Sequence, residues 1–73
     1  MTTRMYDVES SNLQAVGYDP ANETLQVSFK HGGLYGYKGV PPVLVTEMLF
    51  SESVGKFFDA RIKKGCFPFE KLH

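Results

Sequence analysis

The chain has 73 residues and a mass of 8.2 kDa. At that size about 60% of its unfolded surface can be buried, which allows one modest core and excludes a cofactor domain beside a substrate domain. Eight Lys and Arg cancel eight Asp and Glu, so a histone-like or polybasic membrane binder is excluded while a local basic patch is not. Ten Phe and Tyr within an apolar content of 42% exclude a disordered tail.

Residues 1–9 carry no clean period and form an N-terminal segment ahead of a single domain at 10–72. A short apolar-rich run from Asn12 to Tyr18 reads as a strand. Asp19-Pro20-Ala21-Asn22 closes it with a dense turn signal, Pro20 being placed to fix φ. Thr24 to Lys30 alternates strictly, putting Leu25, Val27 and Phe29 on one face and Thr24, Gln26, Ser28 and Lys30 on the other. His31-Gly32-Gly33 can supply the positive φ of a hairpin turn, and Leu34 to Lys38 follows as a third strand. After Val40-Pro41-Pro42 the period becomes helical: Leu44, Val45, Met48 and Leu49 predict a helix over 42–50. Ser51-Glu52-Ser53 interrupts and offers a new N-cap. Val54, Phe57, Phe58, Arg61 and Ile62 then predict a second helix ending at Gly65. Phe67-Pro68-Phe69 reads as a tail whose aromatics fold back on the domain. The predicted fold is α+β: a three-stranded antiparallel meander followed by two short helices and an extended aromatic tail.

Cys66 stands alone, so it has no intramolecular disulfide partner, and with only His31 and His73 beside it no structural zinc set assembles. The N-terminus lacks an apolar signal core, and no stretch approaches the ~20 apolar residues that span a bilayer. The expectation is a cytoplasmic protein without membrane, metal or cofactor.

Two groups of residues carry candidate binding chemistry. Tyr35 and Tyr37 share one face of the third strand, a spacing with which RNA-binding sheets stack successive bases, at roughly 1–3 kcal/mol per base. Which face they occupy depends on the preceding turn. A two-residue His31-Gly32 turn points both tyrosines outward with Gln26 and Ser28. A type I turn with a Gly32 bulge shifts the register by one and turns them inward with Leu25 and Val27, and an inward pair has the ordinary role of core tyrosines. Lys38 follows directly. The second group is Lys56, Arg61, Lys63 and Lys64, which with Ser53 at the helix start offers an edge for phosphates. The same cations late in a helix also complement its dipole and solvate an outer face, partly neutralised by Glu52 and Asp59.

Catalytic patterns are thin. Gly55-Lys56 lacks the glycine spacing and the following hydroxyl of a phosphate loop. Cys66 between Gly65 and Phe67 reads as a small buried thiol. His31 reads as a solvated loop tip, His73 as a chain end, and the carboxylates show no paired spacing for acid–base work.

Taken in order, Ser10-Ser11-Asn12, Val16-Gly17-Tyr18-Asp19, Leu25-x-Val27-x-Phe29, Gly32 with Tyr35-x-Tyr37, Val40-Pro41, Ser53-x-Gly55-x-Phe57-Phe58, Ile62 and Phe67-Pro68-Phe69 resemble the KTSC domain, over roughly residues 8–72. That family is named for its place at the C-terminus of some lysyl-tRNA synthetases and has stand-alone bacterial and phage forms, which this chain resembles. Its function is unsettled. The synthetase context and the central Tyr-x-Tyr imply a direction toward RNA. The chain departs from the pattern at Phe67, where a tyrosine is usual, which weakens any role for a tail hydroxyl.

The reading is therefore a small non-enzymatic binding module for a nucleotide-containing ligand, RNA or a small nucleotide, with Tyr35, Tyr37, Lys38, Ser53, Lys56, Arg61 and Lys63 as ligand-binding residues. Balanced charge favours a compact nucleotide over a long polyanion. Two alternatives stand beside it. One is a phage-type sponge that sequesters a nucleotide immune signal as a homo-oligomer. The other is a protein-interaction module using the meander edge, Phe57, Phe58 and the tail.

Overall fold

The structure, a computed structural model, describes residues 4–65 and 67–72; the expectations for Cys66 and His73 fall outside those residues. Five strands, β1 (Met5–Asp7), β2 (Leu13–Asp19), β3 (Thr24–Phe29), β4 (Leu34–Tyr37) and β5 (Phe69–Lys71), form one antiparallel sheet in the order β1-β2-β3-β4-β5. This corrects the three-stranded meander. The meander is the centre of the sheet, and each of its edges gains a further strand. The N-terminal segment supplies β1, and the tail supplies β5. Both added strands are three residues long, too short for a two-residue period to show, and their pairing comes from the free edges of β2 and β4.

The β2–β3 hairpin closes over Pro20, Ala21, Asn22 and Glu23, with Asp19 paired to Thr24. The Asp19 carboxylate accepts from the Asn22 side-chain amide at 2.8 Å and from the Ala21 N–H at 3.1 Å, and these bonds, the Asn22 one foremost, hold its pKa below the ordinary value. A register shift between Leu13 and Ala15 is a β-bulge. It lets Leu13 and Val16, three residues apart, both face the core, at 0% and 3% exposure.

The β3–β4 hairpin decides the tyrosines. The Gly32 N–H donates to the Phe29 carbonyl at 3.0 Å and the Phe29 N–H to the Gly33 carbonyl at 3.1 Å, while Gly32 takes φ 109. Lys30, His31 and Gly32 are thus a three-residue loop whose glycine occupies a conformation most residues avoid. Val27 pairs with Tyr35 and Leu25 with Tyr37, so both tyrosines join Leu25 and Val27 on the core face.

Helix α1 (Pro42–Leu49) starts behind Pro41 with a proline in its first turn, where the missing N–H has no partner to lose. Helix α2 (Val54–Phe57) is capped by Ser53, whose Oγ accepts from the Lys56 N–H at 3.3 Å, and it passes directly into a π-helical turn, Phe58–Lys63. Together they cover one face of the sheet. Leu13, Val16, Leu25, Val27, Tyr37 and Val40 meet Val45, Met48, Phe58 and Ile62 in a single core. Each fully buried large side chain contributes about 1.5–3 kcal/mol. Among the described residues no helix covers the opposite face of the sheet.

Candidate functional site

The core face carries a closed circuit of aromatic rings that runs out to the β5 edge. Phe58 lies edge-on to Tyr37 at 5.3 Å and to Phe29 at 5.8 Å. Phe29 meets Tyr35 edge-on at 5.5 Å, Tyr35 meets Phe69 at 6.2 Å, and Phe69 stacks on Tyr37 at 5.2 Å, which closes the loop. His31 extends it by stacking parallel on Phe29 at 5.3 Å. Offset and edge-to-face contacts of this kind add about 0.5–1.5 kcal/mol each beyond area burial.

Exposure rises along the circuit. Phe58 and Tyr37 are buried, Phe29 and Tyr35 are half-buried, and His31 and Phe69 are exposed, Phe69 at 61%. Register supplies a cation. Lys71 pairs with Tyr35 across β4 and β5, so both project on this face, and Lys71 Cε lies close to Gly33 together with the Tyr35 ring. The exposed rim therefore offers the Phe69 and His31 rings, part of Tyr35 and the Lys71 ammonium.

The seven ligand-binding residues expected from the sequence do not share one surface. Tyr37, at 4% exposure, lies under Phe69 and Phe58 with no free ring face, and burial raises its hydroxyl pKa, followed by the nearby Tyr35. Tyr35 reaches the rim. Lys38 lies on the open face, its Nζ 3.4 Å from Glu70 Oε1, beside a shallow groove of about 420 Å³ between Asp19, Asn22 and Thr24 on one side and Glu70 and Leu72 on the other. Gly36 lies in that groove, where an added Cβ would come within 3.1 Å of Leu72 Cδ1. Ser53 is occupied in capping α2, and Lys56 is exposed on the first turn. Arg61 lies over the Phe57 ring at 5.4 Å, and Lys63 pairs with Asp59 at 3.9 Å one turn back. These last three cations sit on the helical layer, across the sheet from Lys38.

Sequence reasoning did not assign Phe69, Lys71 or the Phe29–His31 stack to ligand binding; Phe69 entered only with the tail of the protein-interaction alternative. The spacing of two between Phe69 and Lys71 was available as a signal, but only β5 pairing turns it into a shared face with Tyr35. A second contact was also hidden: Gly55 packs directly on the Ser10–Asn12 turn, joining two motifs over forty residues apart. Among the described residues no group of three or more His, Cys, Asp and Glu could hold a metal ion, and no helix is long and apolar enough to cross a membrane.

Comparison with known proteins places these features in a family. The KTSC domain family model matches residues 9–67. An uncharacterised protein of Stutzerimonas stutzeri is 41% identical over 56 residues, which cover 77% of this chain and 79% of that one. A lysine–tRNA ligase of a Nostoc species is 36% identical over 64 residues, 88% of this chain but 11% of the ligase. The crystal structure of a KTSC domain protein from Yersinia pestis superposes with a TM-score of 0.91 at 36% identity, covering 99% of this chain and 100% of that one.

Proposed function

The chain belongs to the KTSC domain family, and from that premise we propose that it is a non-catalytic binding module for a nucleotide-containing ligand, with the aromatic rim at the β5 edge as its site. The observation that carries the reading is the exposed Phe69 ring, seated on Tyr37 and beside Tyr35, with Lys71 on the same face. A base stacks on the solvent-facing side of Phe69 beside Tyr35, and the Lys71 ammonium meets a phosphate. Tyr37 supports this platform from below. A ring already held by buried neighbours loses little side-chain entropy when a base covers it. The match to a segment of a tRNA ligase lends support to an RNA-related ligand.

Thermal shift against single-stranded RNA oligonucleotides and a panel of mono- and cyclic nucleotides tests the reading, because a ligand that binds only the folded chain raises Tm with concentration. The wild type shifts, and Phe69→Ala, whose side chain is largely outside the core, stays folded with a Tm lowered by its two lost ring contacts and loses the ligand-induced shift. Absence of a shift with every probe rejects the proposal. Recovery of chemically unchanged ligand after long incubation is the outcome that distinguishes binding from turnover.

A further inference from the structure

The aromatic circuit presents a ring to solvent at each end, with one cation between them. Phe69 is backed by Tyr37 at 5.2 Å, and the exposed His31 is backed by Phe29 at 5.3 Å. The half-buried Tyr35 ring bridges the gap, meeting Phe69 at 6.2 Å and Phe29 at 5.5 Å. Lys71 crosses the same gap. It pairs with Tyr35 in register, and its Cε lies 3.9 Å from where a Cβ on Gly33 would stand, in the hairpin that carries His31. Its charge is uncompensated: Lys38 pairs with Glu70 and Lys63 with Asp59, whereas among the described residues no carboxylate lies within ion-pair distance of Lys71. The backbone adds a donor at the same place. The Lys38 N–H donates to the Pro68 carbonyl at 2.8 Å and the Leu72 N–H to the Leu34 carbonyl at 2.6 Å. Pairing alternates along an antiparallel ladder, so Phe69 and Lys71 direct their N–H groups away from β4, and among the described residues no strand lies beyond β5.

Building on the reading of this rim as a nucleotide site, we infer that its ligand is two consecutive unpaired nucleotides, one base on Phe69, the next on His31, and the phosphodiester between them on the Lys71 ammonium and N–H. Unpaired bases can be splayed apart and stacked separately on aromatic side chains, which a base-paired strand does not allow. Each platform has one face held by the ring behind it and the other turned outward, so each takes one base. The ammonium and the edge N–H meet phosphate oxygens and carry no information about base identity, and a ring face accepts every base, so the site counts nucleotides without reading their sequence. The count stops at two because, among the described residues, neither Phe69 nor His31 contacts a further exposed ring.

Calorimetric titration with adenosine monophosphate, the linear dinucleotide ApA and the trinucleotide ApApA tests the inference. ApA binds about tenfold or more tighter than adenosine monophosphate, the gain from one additional stacked base, and ApApA adds no second step of that size. The mononucleotide carries the larger phosphate charge, so the preference for ApA has to come from the second ring. His31→Ala, in an exposed loop, brings ApA down to the affinity of the mononucleotide and leaves the mononucleotide itself unchanged, with circular dichroism as the control for folding. His31→Phe keeps the platform and keeps the preference. Lys71→Gln weakens both probes and flattens their salt dependence. Equal binding of the mononucleotide and ApA overturns the inference and leaves the nucleotide reading standing, and so does a preference for ApA that survives His31→Ala. Binding of none of the three probes rejects both.

Discussion

The Tyr18 hydroxyl donates a 2.6 Å hydrogen bond to the carbonyl oxygen of Val40. Tyr18 ends the core face of β2, and Val40 lies in the link from β4 to α1, so one bond ties the sheet to the start of the helical layer. Val40 itself is fully buried, and its N–H donates to the Glu23 carbonyl at 2.9 Å, which fixes the link from both sides. Tyr18→Phe removes the hydroxyl and keeps the ring. The expected cost is about 0.5–1.5 kcal/mol, a fall in Tm of several degrees for a domain this small. An unchanged Tm in calorimetry shows that the bond does not hold the link.

Alkaline pH attacks the same place. Burial, followed by the nearby Glu23 and Asp19 carboxylates, raises the Tyr18 pKa, and burial raises that of Tyr37. A tyrosine with a raised folded-state pKa keeps its proton more firmly in the folded chain. Its contribution to stability is therefore intact below the unfolded value of about 10 and is lost as pH rises through the folded value. Urea melts from pH 8 upward are expected to show stability falling beyond that point, less steeply in Tyr18→Phe. Equal slopes in the two proteins rule out Tyr18 as a contributor.

Gly55 and Ser10 make a second long-range contact. A Cβ at Gly55 would lie 2.5 Å from Ser10 Oγ and 2.8 Å from Asn12 Oδ1. Ser10 Oγ already accepts from the Leu13 N–H at 3.2 Å and donates to Asn12 Oδ1 at 2.9 Å, so it cannot move without losing the turn that leads into β2. Gly55→Ala destabilises by about 1–3 kcal/mol, the cost of overpacking. In a Ser10→Ala background the same change costs less, and a double-mutant cycle by chemical denaturation measures the difference. Strict additivity denies the contact.

Tyr37 and Phe69 separate support from surface. Tyr37→Ala opens a cavity beneath Phe69 and beside Phe58 and costs roughly 3–5 kcal/mol, enough to unfold much of a small domain near physiological temperature. Phe69→Ala removes a largely exposed ring and costs far less. If the two lose similar Tm, the circuit's inner and outer rings are not distinguished by burial.

Much of this architecture is legible in local pattern. The alternation of Leu25, Val27 and Phe29 marks β3, and Pro41-Pro42 with the 3.6-residue recurrence after it marks α1 to within one residue of its observed end. Such features depend on neighbours in sequence, whose side-chain directions are set by strand and helix geometry alone. The face taken by Tyr35 and Tyr37 is of another kind. It turns on whether the hairpin holds two residues or three, a one-residue difference that inverts every side chain of β4, and the Gly32 conformation and the Phe29–Gly33 pairing settle it only when the strands come together. Strands β1 and β5 lie beyond local pattern as well, since three residues show no period and take their hydrogen bonds from β2 and β4. The candidate site follows the same division: the sequence determined that this chain is rich in aromatics around Tyr-x-Tyr, while tertiary structure decided which of those rings, Phe69 and His31, reach solvent, because exposure depends on what packs above a ring and not on what flanks it in the chain.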